Sequence, residues 1–317
     1  MKISSILFAS DLHGSDIVFR RLIDTAIKNK VEAVLIGGDI SGKTLTPIIK
    51  RVGGKYETKF LGRNKVVSDG TELSLLQQDI ANSGSYSYIV DENDYRKLDT
   101  DKVFRAKIFL EQMKLRAKQW IAIAEERLKP KGIRFVIICG NDDDRELDHI
   151  IANSSFAENP EKKVITICDN HEVIGESSAN KTPFNCPRDI EEDEIESNLR
   201  MKLKDIKDVG RSILIIHTPP INSSLDNAPA LDKDLKPIVE GGSHVFKPVG
   251  SSAVRKIIEE VQPMLTLHGH IHESPGFCKI GRTYCFNPGS EYNNACLRSY
   301  LITMDRDSVK GHFLIKL

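Results

Sequence analysis

Residues 3–13, ISSILFASDLH, carry a short apolar run straight into an aspartate and a histidine. Ile3 to Ser10 reads as a buried strand, and Asp11 and His13 follow its end. The next stretch, Ile17 to Lys28, places Val18, Leu22, Ile23, Ala26 and Ile27 at helical spacing. Ala33 to Ile36 then forms a second apolar run that ends in Gly37, Gly38 and Asp39. Strand, helix and strand in this order predict a parallel crossover unit.

The pattern continues along the chain. Arg134 to Cys139, Val164 to Cys168, Ile213 to Ile216 and Met264 to Leu267 read as further buried strands. Three amphipathic helices lie between them. Ala106, Leu110, Met113, Ala117, Trp120, Ala124 and Leu128 mark the longest; Ile195, Leu199, Leu203 and Ile206 mark the second. Val254, Ile257, Ile258 and Val261 mark the third, with Ser251 or Ser252 placed to cap it. The fold class is α/β. From Lys50 to about Asp99 the rhythm breaks into short alternating segments punctuated by Gly and Asn (GGKYETKFLGRNKVVSDG, NSGSYSYIVDEND). Residues 1–317 thus read as a single domain, with 50–99 a small hairpin-bearing insertion and a candidate substrate cap. There is no internal repeat and no low-complexity tract.

Composition bounds the function. The 317 residues are 40% hydrophobic and 28% charged, and 45 Lys plus Arg balance 45 Asp plus Glu. Disorder needs low hydrophobicity and excess charge, and neither is present. Zero net charge argues against binding nucleic acid or an anionic membrane through bulk charge. No apolar run approaches the roughly 20 residues that span a bilayer. Ile3 to Ala9 is too short for a secretory core, and the six cysteines contain no C-x-x-C pair. The expectation is a soluble, cytoplasmic protein with reduced thiols.

The strand ends concentrate side chains able to bind metal: Asp11 and His13, Asp39, Asn141 with Asp142 to Asp144, His217, and His268, His270 and His272. Singly, each has a plain alternative. Asp11 could cap a helix, Asp39 could be a turn residue, and His217 could be a buried ring bonded to a loop carbonyl. In α/β sheets, however, ligands bind beyond the carboxyl ends of strands. Five segments in order, each directly after a strand, favour convergence. Oxygen and nitrogen donors without thiolate suit Mn, Fe or Zn rather than a structural Cys-type zinc.

Together these residues resemble the calcineurin-like metallophosphoesterases, in a variant with Gly-Asn-Asp-Asp (Gly140–Asp143) in the third motif. The resemblance rests on Asp11-Leu12-His13, Gly38-Asp39, Gly140-Asn141-Asp142-Asp143, His217 and Gly269-His270-Ile271-His272. It implies a four-layer α-β-β-α sandwich with two mixed sheets and a site for two divalent ions. By motif position Asp11, His13, Asp39 and His272 would hold one ion. Asp39, Asn141, His217 and His270 would hold the other, with Asp39 bridging and Asn141, Asp142 and His217 at the catalytic positions. Such a pair of ions, about 3.5–4 Å apart, attacks a phosphomonoester or phosphodiester through a shared hydroxide. The implied substrate is small and phosphorylated, a nucleotide among the candidates. His268 should point away from the metals, because alternate residues of an extended segment face opposite sides.

Many members of the family place a proton-donating histidine where this chain has Asp142. An ionised aspartate donates nothing and repels a phosphoryl oxygen. Lys43 and His171 are the candidates for substrate contact in its stead. Within the insertion, Lys50, Arg51, Lys55, Lys59, Arg63 and Lys65 against Glu57 suggest a face that steers anions.

Two other readings compete. Gly37 to Thr44, GGDISGKT, satisfies the P-loop pattern of NTPases, but Asp39 would put a carboxylate among amides that must cradle phosphate. A catalytically weak member of the same fold, acting as a protein-interaction scaffold, has only Asp142 in its favour. Retention of every expected ligand counts against it.

Overall fold

The computed structural model describes residues 3–168 and 170–317. The strand Ser4–Ala9 shows how the layers arise, because its alternate side chains enter different cores. Ile6 and Phe8 pack with Leu35, Val136, Ile213, Leu265 and Phe286 between two sheets. Leu7 and Ala9 point the other way, joining Val34, Ile36 and Phe135 against Phe19, Leu22 and Trp120 of the covering helices. A strand apolar on both faces must lie inside the molecule.

The first six-stranded sheet runs in the order Val309–Lys316, Arg298–Met304, Ser4–Ala9, Ala33–Gly37, Arg134–Ile138, Ala157–Glu158. Ser4–Ala9, Ala33–Gly37 and Arg134–Ile138 are parallel, whereas Arg298–Met304 runs antiparallel to Ser4–Ala9. The second six-stranded sheet runs Gly276–Ile280, Thr283–Asn287, Leu265–Leu267, Ile213–Ile216, His171–Glu176, Ile165–Ile167. Its four central strands are parallel and its two edge strands antiparallel. Both sheets are therefore mixed.

Helices Asp16–Asn29 and Lys102–Leu128 cover the outer face of the first sheet. Glu192–Leu203 and Ser252–Val261 cover the second, where Ile195, Leu199, Val254 and Ile257 meet Ile174, Leu214 and Ile216. Burying each such side chain contributes about 1.5–3 kcal/mol. Ser251 caps its helix as expected, its Oγ accepting from the Val254 amide at 3.1 Å. The result is a four-layer α-β-β-α sandwich, the architecture that the resemblance implies. Among the described residues no helix is long and apolar enough to cross a membrane, and Cys139, Cys186, Cys278, Cys285 and Cys296 are free thiols.

The insertion is more than a hairpin. Its four-stranded sheet has the order Arg63–Ser68, Lys55–Phe60, Thr44–Arg51, Ser85–Val90. Two helices, Thr71–Asn82 and Glu92–Thr100, accompany it. Ile48, Tyr56, Phe60, Leu73, Leu76 and Ile80 form a core of its own. Glycine and asparagine punctuation pointed to turns, yet Leu73, Leu76 and Ile80 share one helical face against the sheet. Its root rests on the His13 loop. A Cβ at Gly42 would lie 2.1 Å from the Gly84 carbonyl oxygen, and one at Gly84 would lie 2.4 Å from that of His13. Part of its positive charge is neutralised internally, Arg51 pairing with Glu57 and Glu92, and Lys65 with Asp79.

Candidate metal centre

The chain reverses sharply where the parallel strands end. Asp11, His13, Asp39 and His270 all have left-handed backbones, with φ of 57°, 41°, 48° and 66°. Each such residue costs on the order of 1–3 kcal/mol unless its surroundings enforce it, and functional sites are where such strain persists. Here two loops are zipped together. The Asp11, His13 and Gly14 amides donate to the Gly38, Asp39 and Ile40 carbonyls, each at 2.9 Å. The His270 amide donates to Asp11 Oδ2 at 3.0 Å. Close approach also requires glycine at 140, where a Cβ would lie 2.2 Å from Asp39 Oδ1 and 2.7 Å from the His217 ring.

The loops bring the expected ligands together. Donor atoms of Asp11, His13 and His272 lie within 4.8 Å of one another, as do those of Asp11, Asp39 and His217. His13 Nε2 and His272 Nε2 are 3.1 Å apart. His217 Nε2 faces Asn141 Oδ1 at 3.1 Å and Asp39 Oδ1 at 3.5 Å. The His270 ring packs edge-on to that of His217, with centroids 5.3 Å apart. Nitrogen and oxygen donors thus converge in overlapping groups, and such a donor set fits divalent cations. Asp39 sits between two of the histidines, its Oδ2 3.7 Å from His13 Nε2 and its Oδ1 3.5 Å from His217 Nε2.

Protonation follows from this crowding. Burial opposes charge on His217, but the Asp39 carboxylate more than offsets it and raises its pKa to about 9. Burial likewise opposes charge on Asp11, and the bond and charge of His272 bring its pKa down to about 2. His13 and His270 are dominated by burial, which lowers them to about 3 and about 4. Where the carboxylates dominate, a proton stands in for a cation.

Three further residues complete the site, two of them not singled out in the sequence. Asp189 Oδ1 accepts from Asn141 Nδ2 at 2.7 Å, which turns the amide oxygen of Asn141 toward His217. Asp143 is fully buried and accepts from the Gly140, Ile40 and Ser41 amides and the Ser41 hydroxyl, at 2.8, 3.1, 2.9 and 2.6 Å. Burial and the nearby Asp39 charge still raise its pKa to about 6. The Tyr292 ring lies 4.7 Å from that of His13. Asp143 stood within the quoted motif; the other two carried no sequence signal.

Asp142 and Lys43 meet at the mouth, Nζ to Oδ2 at 3.2 Å. Burial opposes charge on Lys43, but Asp142 and Asp39 more than offset it and raise its pKa above the ordinary lysine value. His171 is not with them. It opens the strand His171–Glu176, at the end remote from His217, and its Nδ1 bonds the Arg211 carbonyl at 2.8 Å. A substrate-contact role for His171 is therefore corrected. His268 points away as expected, its ring bonded to the Ile216 carbonyl at 2.9 Å and the Thr218 carbonyl at 3.1 Å, and to Thr266 Oγ1 at 2.8 Å. The P-loop reading also fails, because Thr44 opens a strand paired with Ser85–Val90 and no helix N-terminus follows Lys43.

No family model matches the chain. Over 167 residues it is 36% identical to the uncharacterized protein MJ1162 of Methanocaldococcus jannaschii, spanning 51% of this chain and 68% of that protein. TT1561 of Thermus thermophilus superposes with a TM-score of 0.51 at 13% identity, covering 96% of this chain and 99% of that one. Another solved structure superposes with a TM-score of 0.56 at 14% identity over 99% of each chain. At such identities the likeness is one of fold.

Proposed function

The chain belongs to the family of MJ1162, and we propose that it is a dinuclear metal-dependent phosphohydrolase acting on a small phosphorylated substrate. The observation that carries this reading is the convergence of Asp11, His13, Asp39, Asn141, His217, His270 and His272 where strands of the two sheets end, four of them on left-handed backbone. Divalent ions bound there would supply activated water and offset the charge of an in-line displacement at phosphorus.

The chain's own groups set the rest. Asp39 has one carboxylate oxygen toward each site. Asn141 adds an oxygen donor without adding charge, and Asp189 fixes its orientation. His217 directs Nε2 inward because its Nδ1 is held 2.8 Å from the Gly37 carbonyl oxygen. Lys43, half-exposed at the mouth, is placed to take a phosphate oxygen. Five free thiols, Cys139, Cys186, Cys278, Cys285 and Cys296, suit a reducing compartment such as the cytoplasm.

The test is hydrolysis of bis-p-nitrophenyl phosphate and p-nitrophenyl phosphate with added Mn²⁺, Fe²⁺ or Zn²⁺, beside Asp39→Asn. The expected result is metal-dependent cleavage of at least one ester, reduced by about 10²-fold or more in the variant. Cleavage unaffected by chelator, or undiminished in Asp39→Asn, overturns the reading.

A further inference from the structure

Asp142 occupies a position that the two-metal reading leaves without a task. As an ionised carboxylate it cannot donate a proton to a leaving group, and standing alone it would repel the substrate. Its place suggests another use. A carboxylate oxygen of Asp142 lies within 4.8 Å of donor atoms of both His13 and Asp39, and these two lie equally close to each other. Its backbone amide donates to Asp39 Oδ1 at 3.0 Å, so the residue is anchored directly over the bridging carboxylate. The facing ring nitrogens of His13 and His272, 3.1 Å apart, mark a cation position that shares His13 with this group. The side chain's present partner is Lys43, and both are substantially exposed, at 47% for Lys43 and 31% for Asp142. An exposed ion pair of this kind holds its members weakly, whereas a divalent ion competes strongly for a carboxylate.

We propose that Asp142 is an additional metal ligand, which adds a third carboxylate to the site of Asp11, His13, Asp39 and His272, and that Lys43 is thereby released toward the substrate phosphate. The proposal rests on the two-metal reading and deepens it. Where a histidine would serve the substrate, this chain gives the metal one more oxygen and hands the substrate contact to a lysine from the neighbouring loop. Three carboxylates and two imidazoles make a five-donor, oxygen-rich set. Such a set suits Mn²⁺ better than Zn²⁺, which settles for fewer and softer donors.

Titration calorimetry of the full chain, stripped by chelator and titrated with Mn²⁺ alone and with Zn²⁺ alone, tests this without reference to turnover. Asp142→Ala is expected to weaken binding of one of two Mn²⁺ ions by about tenfold or more, to weaken Zn²⁺ less, and to leave melting of the metal-free protein unchanged. Asp142→Asn, which keeps an oxygen, is expected to fall between. Lys43→Ala should tighten Mn²⁺ binding by removing a competitor for Asp142, and this gain should vanish in the Asp142→Ala background. Unchanged Mn²⁺ affinity in Asp142→Ala, with two ions bound by the wild type and binding lost in Asp39→Asn, overturns the proposal and leaves the two-metal reading intact. A wild type that binds no divalent ion overturns both.

Discussion

The Nε2 of His217 lies 3.1 Å from the Oδ1 of Asn141, while its Nδ1 lies 2.8 Å from the Gly37 carbonyl oxygen. Both ring nitrogens therefore face acceptors, and in the metal-free chain the Nε2 position holds a proton, consistent with a pKa near 9. A metal must displace that proton.

This fixes a pH dependence. An unfolded histidine titrates near 6.5, so the folded value is raised. The stability contributed by His217 is fully present below pH 6.5 and is lost as pH rises through about 9. His272, which Asp11 raises against the effect of burial, adds in the same direction. The lowered Asp11 and Asp39 lose their contributions only in acid, outside this window. The melting temperature of chelator-treated protein should fall between pH 6.5 and 9, and Mn²⁺ affinity should rise over the same range. A flat melting profile that His217→Asn does not alter would refute this.

In the proposed metal site Asp189 would act through Asn141. Its Oδ1 accepts from Asn141 Nδ2, and its Oδ2 accepts from the Thr182 and Cys186 amides, at 3.1 and 3.0 Å. Without it the Asn141 amide is free to turn its NH₂ toward the cation. Asp189→Ala should weaken metal binding by about 10–100-fold, with a smaller loss in Asp189→Asn. Calorimetric affinities equal to wild type in both variants would show that Asn141 holds its orientation unaided.

Asp143 is the clamp between the two ligand loops. Removing it orphans the Gly140, Ile40 and Ser41 amides in a buried site. Each unmet donor costs about 1–3 kcal/mol, and the left-handed Asp39 backbone loses its neighbour's support. Asp143→Ala should lower stability by on the order of 3 kcal/mol by urea unfolding, well beyond the effect of Asp142→Ala. Equal stabilities for the two would refute the clamp.

How much of this was legible follows from range. Asp11, Asp39, His217 and His270 were readable because each lies shortly after an apolar strand, and ligands bind beyond the carboxyl ends of such strands. The four covering helices were readable from Val18, Trp120, Leu199 and Ile257 at helical spacing. Asp189 and Tyr292 were not, because they open a two-residue strand, Asp189–Ile190, and a single 3-10 turn, Tyr292–Asn294, whose placement depends on tertiary packing. Helix Thr71–Asn82 was missed because Leu73, Leu76 and Ile80 face a sheet whose existence the sequence does not advertise. His171 misled for the opposite reason: it borders a strand, but at the end where that strand begins.

The last prediction concerns the leaving group. With a carboxylate at 142, whether paired to Lys43 or on a metal, no imidazole occupies that position to protonate a departing alkoxide. Cleavage rates should therefore depend steeply on leaving-group acidity, with nitrophenyl esters far ahead of alkyl esters. Asp142→His places a donor at that point. It should narrow the gap by favouring the alkyl esters, the ceiling being the roughly 10²–10⁴-fold contributed by a positioned general acid. The measurement is kcat/KM across a series of substituted phenyl and alkyl phosphates at saturating Mn²⁺. Saturation separates proton donation from any loss of metal affinity that the substitution brings. A slope against leaving-group pKa that is unchanged in Asp142→His would mean that Lys43 already serves the leaving group, and Lys43→Ala should then steepen it.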